Sequence, residues 1–272
     1  MTSAIQGWRE RIEAHHEQTR RMQGDVVYQD MWSSLAEAFR DDPQRTDDPV
    51  VNLVASWLSP ESTVLDVGGG AGRYALPLAL HCKEVTVLDP SPSMLESLQR
   101  SMDEAGIANV NKVLEGWDKA SVEKHDVVLC ANVVYGVAEI EPWVRKLADC
   151  ASQRVAIVLY MDAPLSRMSP IWNAVHEEKR IDMPALPELL PVLWEMGIYP
   201  NVDMAPPAGG TRTMPTMDAA VAMARHFLYI APGSDKDRKL QEVAGDFVVE
   251  TPKGVAMKDA SERPQGVVWW RV

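Results

Sequence analysis

The sequence predicts an α/β fold, a doubly wound and mostly parallel sheet with helices on both faces. Three observations predict it. Short apolar runs recur with helical segments between them, the runs lack the alternation of half-exposed strands, and a glycine-rich turn joins one run to the next helix. Strands separated by helices favour parallel pairing and burial on both faces. We expect one large domain, residues 49–272, after a helical N-terminal arm, residues 1–48.

The arm is predicted to be helical over residues 5–40, because its apolar residues recur at three- and four-residue spacing. A polar stretch, residues 41–48, ends it. Pro49 then opens a helix that Ser59 and Pro60 stop.

Strands and helices alternate regularly over the next hundred residues. The strands are predicted at 64–67, 85–88, 111–115, 126–130 and 155–160, and the helices at 74–80, 92–105 and 142–151. Ser91 before Pro92 is typical of a helix start. The serine hydroxyl caps the first turn, and proline needs no hydrogen-bond partner for its nitrogen there.

The pattern loosens after residue 160. The predicted elements are a connection at 161–183 with a short helix near 171–178, a helix at 186–196, a sixth strand at 198–204, two helices within 216–250 and extra strand character at 266–272. The closing apolar run, residues 267–270, fits either a buried strand or an edge strand that pairs in a homodimer.

The composition limits which classes of partner and which cellular compartment we expect. The chain has 39 acidic and 27 basic residues, a net charge of -12, and such a surface repels phosphate backbones. Cys82, Cys130 and Cys150 are scattered, which favours a reducing compartment. Adjacent His15 and His16 would point to different faces of a helix, so we expect no metal site. No run reaches the roughly 20 apolar residues of a membrane span. We expect a cytoplasmic protein without nucleic-acid or membrane partners.

The glycine-rich turn at residues 68–72 has GxGxG spacing, not GxGxxG. Glycine lets the backbone turn tightly and lets a ligand approach where a Cβ would clash. Nicotinamide and flavin enzymes use such turns too, so the turn alone does not choose the cofactor.

Two carboxylates beside the turn favour a ligand without phosphate. Asp66 ends the first strand two residues before Gly68. It would repel a pyrophosphate but accept an ammonium or a sulfonium. Asp89 ends the second strand, where a carboxylate can accept two hydrogen bonds from a ribose diol.

These motifs resemble the class I S-adenosylmethionine-dependent methyltransferases. The matching stretches are Val-Leu-Asp-Val-Gly-Gly-Gly-Ala-Gly-Arg at 64–73 and Val-Leu-Asp-Pro-Ser-Pro-Ser-Met-Leu at 87–95, with weaker matches at 116–118 and 126–132. The resemblance covers about residues 50–160. It implies a seven-stranded sheet whose last strand is antiparallel, with S-adenosylmethionine as cofactor and S-adenosylhomocysteine as product.

The resemblance places the cofactor-binding positions after the first four predicted strands. Asp66 and the glycine backbone, with Gly68, Gly69 and Gly70, would bind the methionine end, and Asp89 with the adjacent Pro90 would bind the ribose. Trp117 and Asp118 would flank the adenine, and Asn132 would lie near the transferable methyl group. The main positions have structural alternatives. The glycines at 68–72 also fit a purely structural turn, and Asp89 fits an acid that caps the helix after Ser91. Trp117 fits a core aromatic residue equally well, and Asn132 fits a loop residue that satisfies backbone groups.

Methyl transfer from a sulfonium is an in-line displacement in which the cofactor supplies the reactive carbon. A general base is needed only if the acceptor must lose a proton, so no fixed catalytic signature is expected. Our candidate base is His176, in the region 161–250 that we expect to line the acceptor pocket. Tyr28 on the arm is a candidate lid residue. The alternatives are a surface histidine and a tyrosine that packs the arm.

The sequence therefore predicts methyl transfer to a small-molecule acceptor. Two other functions stay open. One is a non-catalytic subunit that binds S-adenosylmethionine for a partner, and the other is a nicotinamide- or flavin-dependent oxidoreductase on a similar sheet. Methylation of RNA is disfavoured by the charge, and the sequence does not decide about methylation of protein.

Overall fold

The computed structural model describes residues 2–24, 26–33, 35–206, 213–252, 254–258 and 264–272. Its strands are β1 (Thr63–Val67), β2 (Glu84–Asp89), β3 (Val110–Leu114), β4 (His125–Ala131), β5 (Ala151–Tyr160), β6 (Asn201–Ala205), β7 (Val248–Thr251), β8 (Gly254–Met257) and β9 (Gln265–Arg271). Its helices are α1 (Ala4–Gln23), α2 (Pro49–Ala55), α3 (Ala75–Ala79), α4 (Pro92–Ala105), α5 (Ile140–Asp149), α6 (Ser169–His176), α7 (Leu186–Glu195), α8 (Met217–Phe227) and α9 (Asp235–Phe247).

Seven strands form one sheet in the order β3-β2-β1-β4-β5-β9-β6. Neighbours from β3 to β5 are parallel, while β9 is antiparallel to both β5 and β6. This confirms the mostly parallel, seven-stranded sheet with an antiparallel last strand. Because β1, β2 and β4 run the same way, their carboxyl ends meet at one edge of the sheet.

The last strand is interior. β9 pairs with β5 on one side and β6 on the other, so the buried-strand interpretation of residues 267–270 is confirmed. Its use as an edge strand in a homodimer was wrong, because both of its hydrogen-bonding edges are already paired.

The central strands are buried on both faces. Val64 packs in one apolar layer and its neighbour Leu65 in the other, and Val127 and Val128 divide in the same way. Full burial of each such side chain contributes about 1.5–3 kcal/mol to the stability of the folded protein. Consecutive positions therefore both have to be apolar, which explains runs without alternation.

The helix predicted over residues 5–40 was too long. α1 starts where Ser3 accepts a hydrogen bond from the Gln6 backbone and ends at Gly24, whose φ is 55°. A left-handed φ stops a right-handed helix. Residues 26–33 and 35–48 then form an irregular segment, called the strap here, that contains a 3-10 turn at Ala36–Phe39.

The late part of the chain adds helices and a hairpin. α8 and α9 confirm the two helices expected within 216–250, but residues 248–250 belong to β7, which pairs with β8. α6, α8 and α9 share an apolar cluster of their own, called the helical cap here. The cap is attached at the carboxyl edge of the sheet, since α6 follows β5. Across the described residues, no helix is both long and apolar enough to cross a membrane.

Candidate cofactor site

The glycine turn connects β1 to α3 and leaves no room for a Cβ at Gly68 or Gly72. Gly68 has φ 71°, and a Cβ there would overlap Val133. Gly72 has φ 84°, and a Cβ there would overlap Leu98. Only glycine adopts such backbone angles at low cost. The local sequence therefore dictates a tight turn with bare backbone at the carboxyl edge of the sheet.

Asp66 lies buried under this turn. A Cβ on Gly69 would lie 2.6 Å from Asp66 Oδ2. Neither carboxylate oxygen has a hydrogen-bond partner among the described residues. Burial, and to a lesser degree the nearby Asp89, raises the pKa of Asp66 to about 7. A buried carboxylate without donors is costly to ionise, and an ammonium group would supply both the charge and the donors it lacks.

Asp89 ties the turn to the next strand. Its Oδ2 accepts a hydrogen bond of 3.0 Å from the Gly70 backbone, and its Oδ1 one of 2.9 Å from Ser91. Each carboxylate oxygen has two lone pairs. Asp89 can therefore hold the turn and still accept a hydrogen bond at each oxygen, which fits a ribose diol.

The strap contacts the site at the start of α4. Asp30 Oδ2 accepts hydrogen bonds of 2.8 Å from Ser91 and 2.5 Å from Ser93, at the start of α4. Further along, Ala36 packs with Met94 and with Ala71 of the glycine turn. Nothing in the local sequence of Asp30 signals these contacts, since they cross about sixty residues of chain.

A second polar cluster follows β4. Asn132 has φ 60°, and its Oδ1 accepts a hydrogen bond of 3.1 Å from the Tyr135 hydroxyl. That hydroxyl in turn accepts one of 2.8 Å from the Tyr160 backbone at the end of β5. Gln265, buried at the start of β9, lies 3.5 Å from Asn132 Oδ1 and 3.4 Å from the Tyr74 hydroxyl. The cluster thus fixes Asn132 at the carboxyl edge, where the sequence predicted it.

The remaining predicted cofactor residues lie around these two clusters. Trp117 is buried, with the Lys146 ammonium 4.5 Å from its ring centre and Trp143 beside it. Pro90, directly after β2, is exposed, and so is Asp118 in the segment that follows β3. The roles of Trp117, Asp118 and Pro90 toward an adenosyl group stay predictions.

The two candidate catalytic residues lie with the helical cap. His176 is buried, its Nε2 is 3.0 Å from the Leu228 carbonyl oxygen, and its ring packs on Trp172. Burial lowers the pKa of His176 to about 4, and such an imidazole is a weak base near neutral pH. Tyr28 donates a hydrogen bond of 3.2 Å to the His226 carbonyl and so joins the strap to α8.

Comparison with known proteins identifies the family of one segment of the chain. Residues 64–153 match the family model of a methyltransferase domain. This segment is a class I S-adenosylmethionine-dependent methyltransferase domain. It runs from β1 into the start of β5 and contains both the glycine turn and the two carboxylates. The cofactor of the domain is therefore S-adenosylmethionine, and Asp66, Asp89 and the glycine backbone fit it.

The curated relatives of this chain are proteins of several kinds. An uncharacterised protein of Haemophilus influenzae is 28% identical over 153 residues, which are 56% of each chain. Nodulation protein S of Rhizobium tropici is 30% identical over 115 residues, which are 41% of this chain and 43% of that one. The chain spans about half the length of these relatives. Other curated relatives are ribosomal RNA methyltransferases.

Among solved structures, a candidate methyltransferase from Bacillus halodurans matches with a TM-score of 0.54 and 16% identity, over 82% of this chain and 96% of that one. At this identity the likeness shows a shared fold alone. The shared fold agrees with the mostly parallel sheet and the helices of this chain.

Proposed function

We propose that this chain transfers a methyl group from S-adenosylmethionine to a small-molecule acceptor. The observation that carries the proposal is the buried carboxylate of Asp66, which has no donor among the described residues and lies under a glycine turn. Such a carboxylate suits the ammonium of an amino-acid ligand and opposes a pyrophosphate. This favours methyl transfer over the nicotinamide or flavin alternative.

The charge around the site supports a small acceptor. Asp30 and Asp89 lie at the site itself. A groove between the strap and α4 is lined by Glu37, Asp41 and Glu104, with Arg40 as its one basic residue. Arg40 is already paired with Glu37 and Glu104. Such a surface repels phosphate backbones. We therefore propose a small-molecule acceptor, although several relatives are ribosomal RNA methyltransferases.

The residues contribute binding and orientation. When bound, S-adenosylmethionine supplies an activated methyl group. Asp66 would hold the ammonium, Asp89 the ribose hydroxyls, and Asn132 would border the transferable group. In-line displacement gains most from alignment and exclusion of water. The strap, held to α4 through Asp30, is suited to exclude water as a lid.

The experiment is transfer of labelled methyl groups from S-adenosylmethionine by the purified chain, offered either a small-molecule pool or ribosomal RNA. We expect label in the small-molecule pool and none in RNA, with loss of transfer in Asp66→Asn. Label in RNA alone would contradict the small-molecule acceptor. Tight cofactor binding without transfer to either pool would support the non-catalytic subunit instead.

A further inference from the structure

Arg180, which follows α6, is a buried cation without a counter-ion in the described part of the chain. It is 3% exposed, and the ion pairs among the described residues do not include it. Asp182 acts on it electrostatically from a distance, while Asp182 Oδ1 accepts a hydrogen bond of 2.5 Å from Ser169. A buried charge is costly unless it is paired and hydrogen-bonded. Arg180 therefore departs from what packing alone favours.

Two hydrogen bonds hold Arg180 in place and leave one end of its guanidinium unused. Its Nη1 donates a hydrogen bond of 3.2 Å to the Leu165 carbonyl, and its backbone N–H donates one of 2.8 Å to the Asn173 side chain on α6. Leu165 lies in the 3-10 turn Pro164–Met168, which follows β5. Nη2 is shielded from solvent and has no partner among the described residues. Arg180 thus joins the helical cap to the segment that leaves the carboxyl edge of the sheet.

Trp172 is the aromatic side chain beside this guanidinium. Its ring centre lies 4.7 Å from Arg180 Cζ and 4.2 Å from the ring centre of His176. Trp172 Nε1 and His176 Nδ1 are also buried without partners among the described residues. Because His176 Nε2 lies 3.0 Å from the Leu228 carbonyl oxygen, Nε2 carries the ring proton and Nδ1 is left as an acceptor. Each unpartnered atom therefore belongs to Trp172 or to a side chain packed on it.

The charge in this region is positive, unlike that of the chain as a whole. Burial lowers the pKa of His176, and the charges of Lys236 and Arg180 lower it further. Glu178 acts on His176 in the opposite direction, but Glu178 is paired with Arg21. Burial also lowers the pKa of Arg180. In a chain with a net charge of -12, such a region favours an anionic ligand.

We propose that Arg180 binds a carboxylate of the methyl acceptor, with Trp172 as the apolar wall of that site. The inference rests on the proposed function and names its substrate class, a small carboxylic acid. A carboxylate would supply the acceptor atoms that Nη2 lacks, and the planar guanidinium matches its geometry. One guanidinium neutralises one negative charge, so a monoanionic carboxylate suits the site better than a doubly charged phosphate.

The acceptor reaches Arg180 only when this region opens, because Arg180 and Trp172 are both buried. Tyr28 of the strap has its ring centre 6.1 Å from that of Tyr229, and Tyr229 acts electrostatically on Arg180. Tyr28 also donates a hydrogen bond to the His226 carbonyl. Opening of the strap at Tyr28 is therefore the movement that we expect to admit the acceptor, and closure would shield it from water.

The test is calorimetric titration of the full chain, both free and loaded with S-adenosylhomocysteine. The probes are benzoate, which is a carboxylate, benzamide, which is its neutral counterpart, and inorganic phosphate. The variants are Arg180→Met and Arg180→Lys. Arg225→Met is the matched control, because it removes an arginine of the same helical cap that is paired with Asp237 at 2.8 Å.

We expect benzoate to bind to wild type at least about tenfold more tightly than benzamide or phosphate. Arg180→Met should weaken benzoate by about tenfold or more, Arg180→Lys should fall between the two, and Arg225→Met should bind as wild type does. Benzoate should also inhibit methyl transfer to the small-molecule pool.

Urea unfolding separates a binding role from a structural one. Arg180→Met removes an unpaired buried charge, so it should unfold at the same urea concentration as wild type or at a higher one. Arg225→Met leaves the buried Asp237 carboxylate without its partner, so it should unfold at a lower one. Should Arg180→Met fold poorly, Arg180→Lys decides, and wild-type affinity for benzoate in that variant overturns the inference.

Three further results overturn the inference: no benzoate binding to wild type, equal benzoate binding in Arg180→Met, or tighter binding of phosphate than of benzoate. Benzoate that binds through Arg180 without inhibiting methyl transfer would show that the site does not hold the acceptor. A wild-type protein that binds no S-adenosylhomocysteine contradicts the proposed function instead. The benzoate titration of the free protein then still decides whether Arg180 binds a carboxylate.

Discussion

The Oδ2 atom of Asp89 lies 3.0 Å from the backbone nitrogen of Gly70. The carboxylate that ends β2 therefore holds the turn that follows β1, so two neighbouring strands share one cofactor-binding edge. One side chain both shapes the glycine turn and offers lone pairs to a ligand.

Replacing Asp89 with Asn tests this double role. An amide has one acceptor oxygen, so its NH2 group would face either the Gly70 or the Ser91 backbone N–H. We expect a loss of about 1–3 kcal/mol in the free energy of unfolding and at least about tenfold weaker binding of S-adenosylhomocysteine. Urea unfolding and calorimetry measure the two effects. Wild-type affinity in Asp89→Asn would contradict the ribose role.

Asp66 makes stability depend on pH. Its pKa in the folded protein is raised to about 7, so near pH 5 the folded state holds a proton that the unfolded state has released. Stability from this group therefore falls as pH rises from about 4 to about 7 and is constant above. We expect wild type to lose stability relative to Asp66→Asn between about pH 4 and about pH 7, as followed by urea unfolding. Parallel pH profiles in the two proteins would contradict it.

Cofactor binding has the opposite pH dependence. An ammonium ligand favours the ionised carboxylate of Asp66. The affinity for S-adenosylhomocysteine should therefore rise as pH rises through about 7, with protons released on binding. Calorimetry in buffers of different ionisation enthalpy measures that release. Asp66→Asn should bind weakly and without proton release, and a release equal to that of wild type would exclude Asp66 as its source.

Gly72→Ala should be costly for two separable reasons. The φ of 84° is strained for alanine, and the new Cβ would overlap Leu98 and lie 2.9 Å from Leu76 Cγ. Gly197→Ala is the matched control, because Gly197 has φ 79° and open space around it. We expect about 1–2 kcal/mol of destabilisation in Gly197→Ala and a further 1–3 kcal/mol or so in Gly72→Ala. Equal losses in urea unfolding would show that the turn has room for a side chain.

Asp30→Ala should loosen the strap. The change removes the acceptor of the Ser91 and Ser93 hydroxyls, so opening of the strap becomes easier. We expect the dissociation rate of S-adenosylhomocysteine to rise about tenfold, as for the loss of one or two net hydrogen bonds. Stopped-flow displacement measures it. Asp235→Ala is the control, because the Asp235 side chain is 91% exposed on α9. An unchanged rate in Asp30→Ala would mean that the strap is not a lid.

The sequence predicted the part of the site that is built from consecutive segments of the chain. Asp66, Asp89 and the glycines lie at strand ends next to turns, so their proximity follows from parallel pairing alone. Gln265 and Asp30 gave no such signal, because they reach the site across 133 and 61 residues of chain. The hairpin of β7 and β8 was missed for a related reason, since two strands of four residues carry too little pattern to separate from the helix before them.

Titration of the purified chain with S-adenosylhomocysteine and with NAD, with Asp89→Ala as control, tests the central claim most directly. We expect S-adenosylhomocysteine to bind with micromolar affinity, Asp89→Ala to lose that binding, and NAD not to bind. Binding of NAD without S-adenosylhomocysteine would contradict the claim that the Asp66 carboxylate and the glycine turn form a site for S-adenosylmethionine.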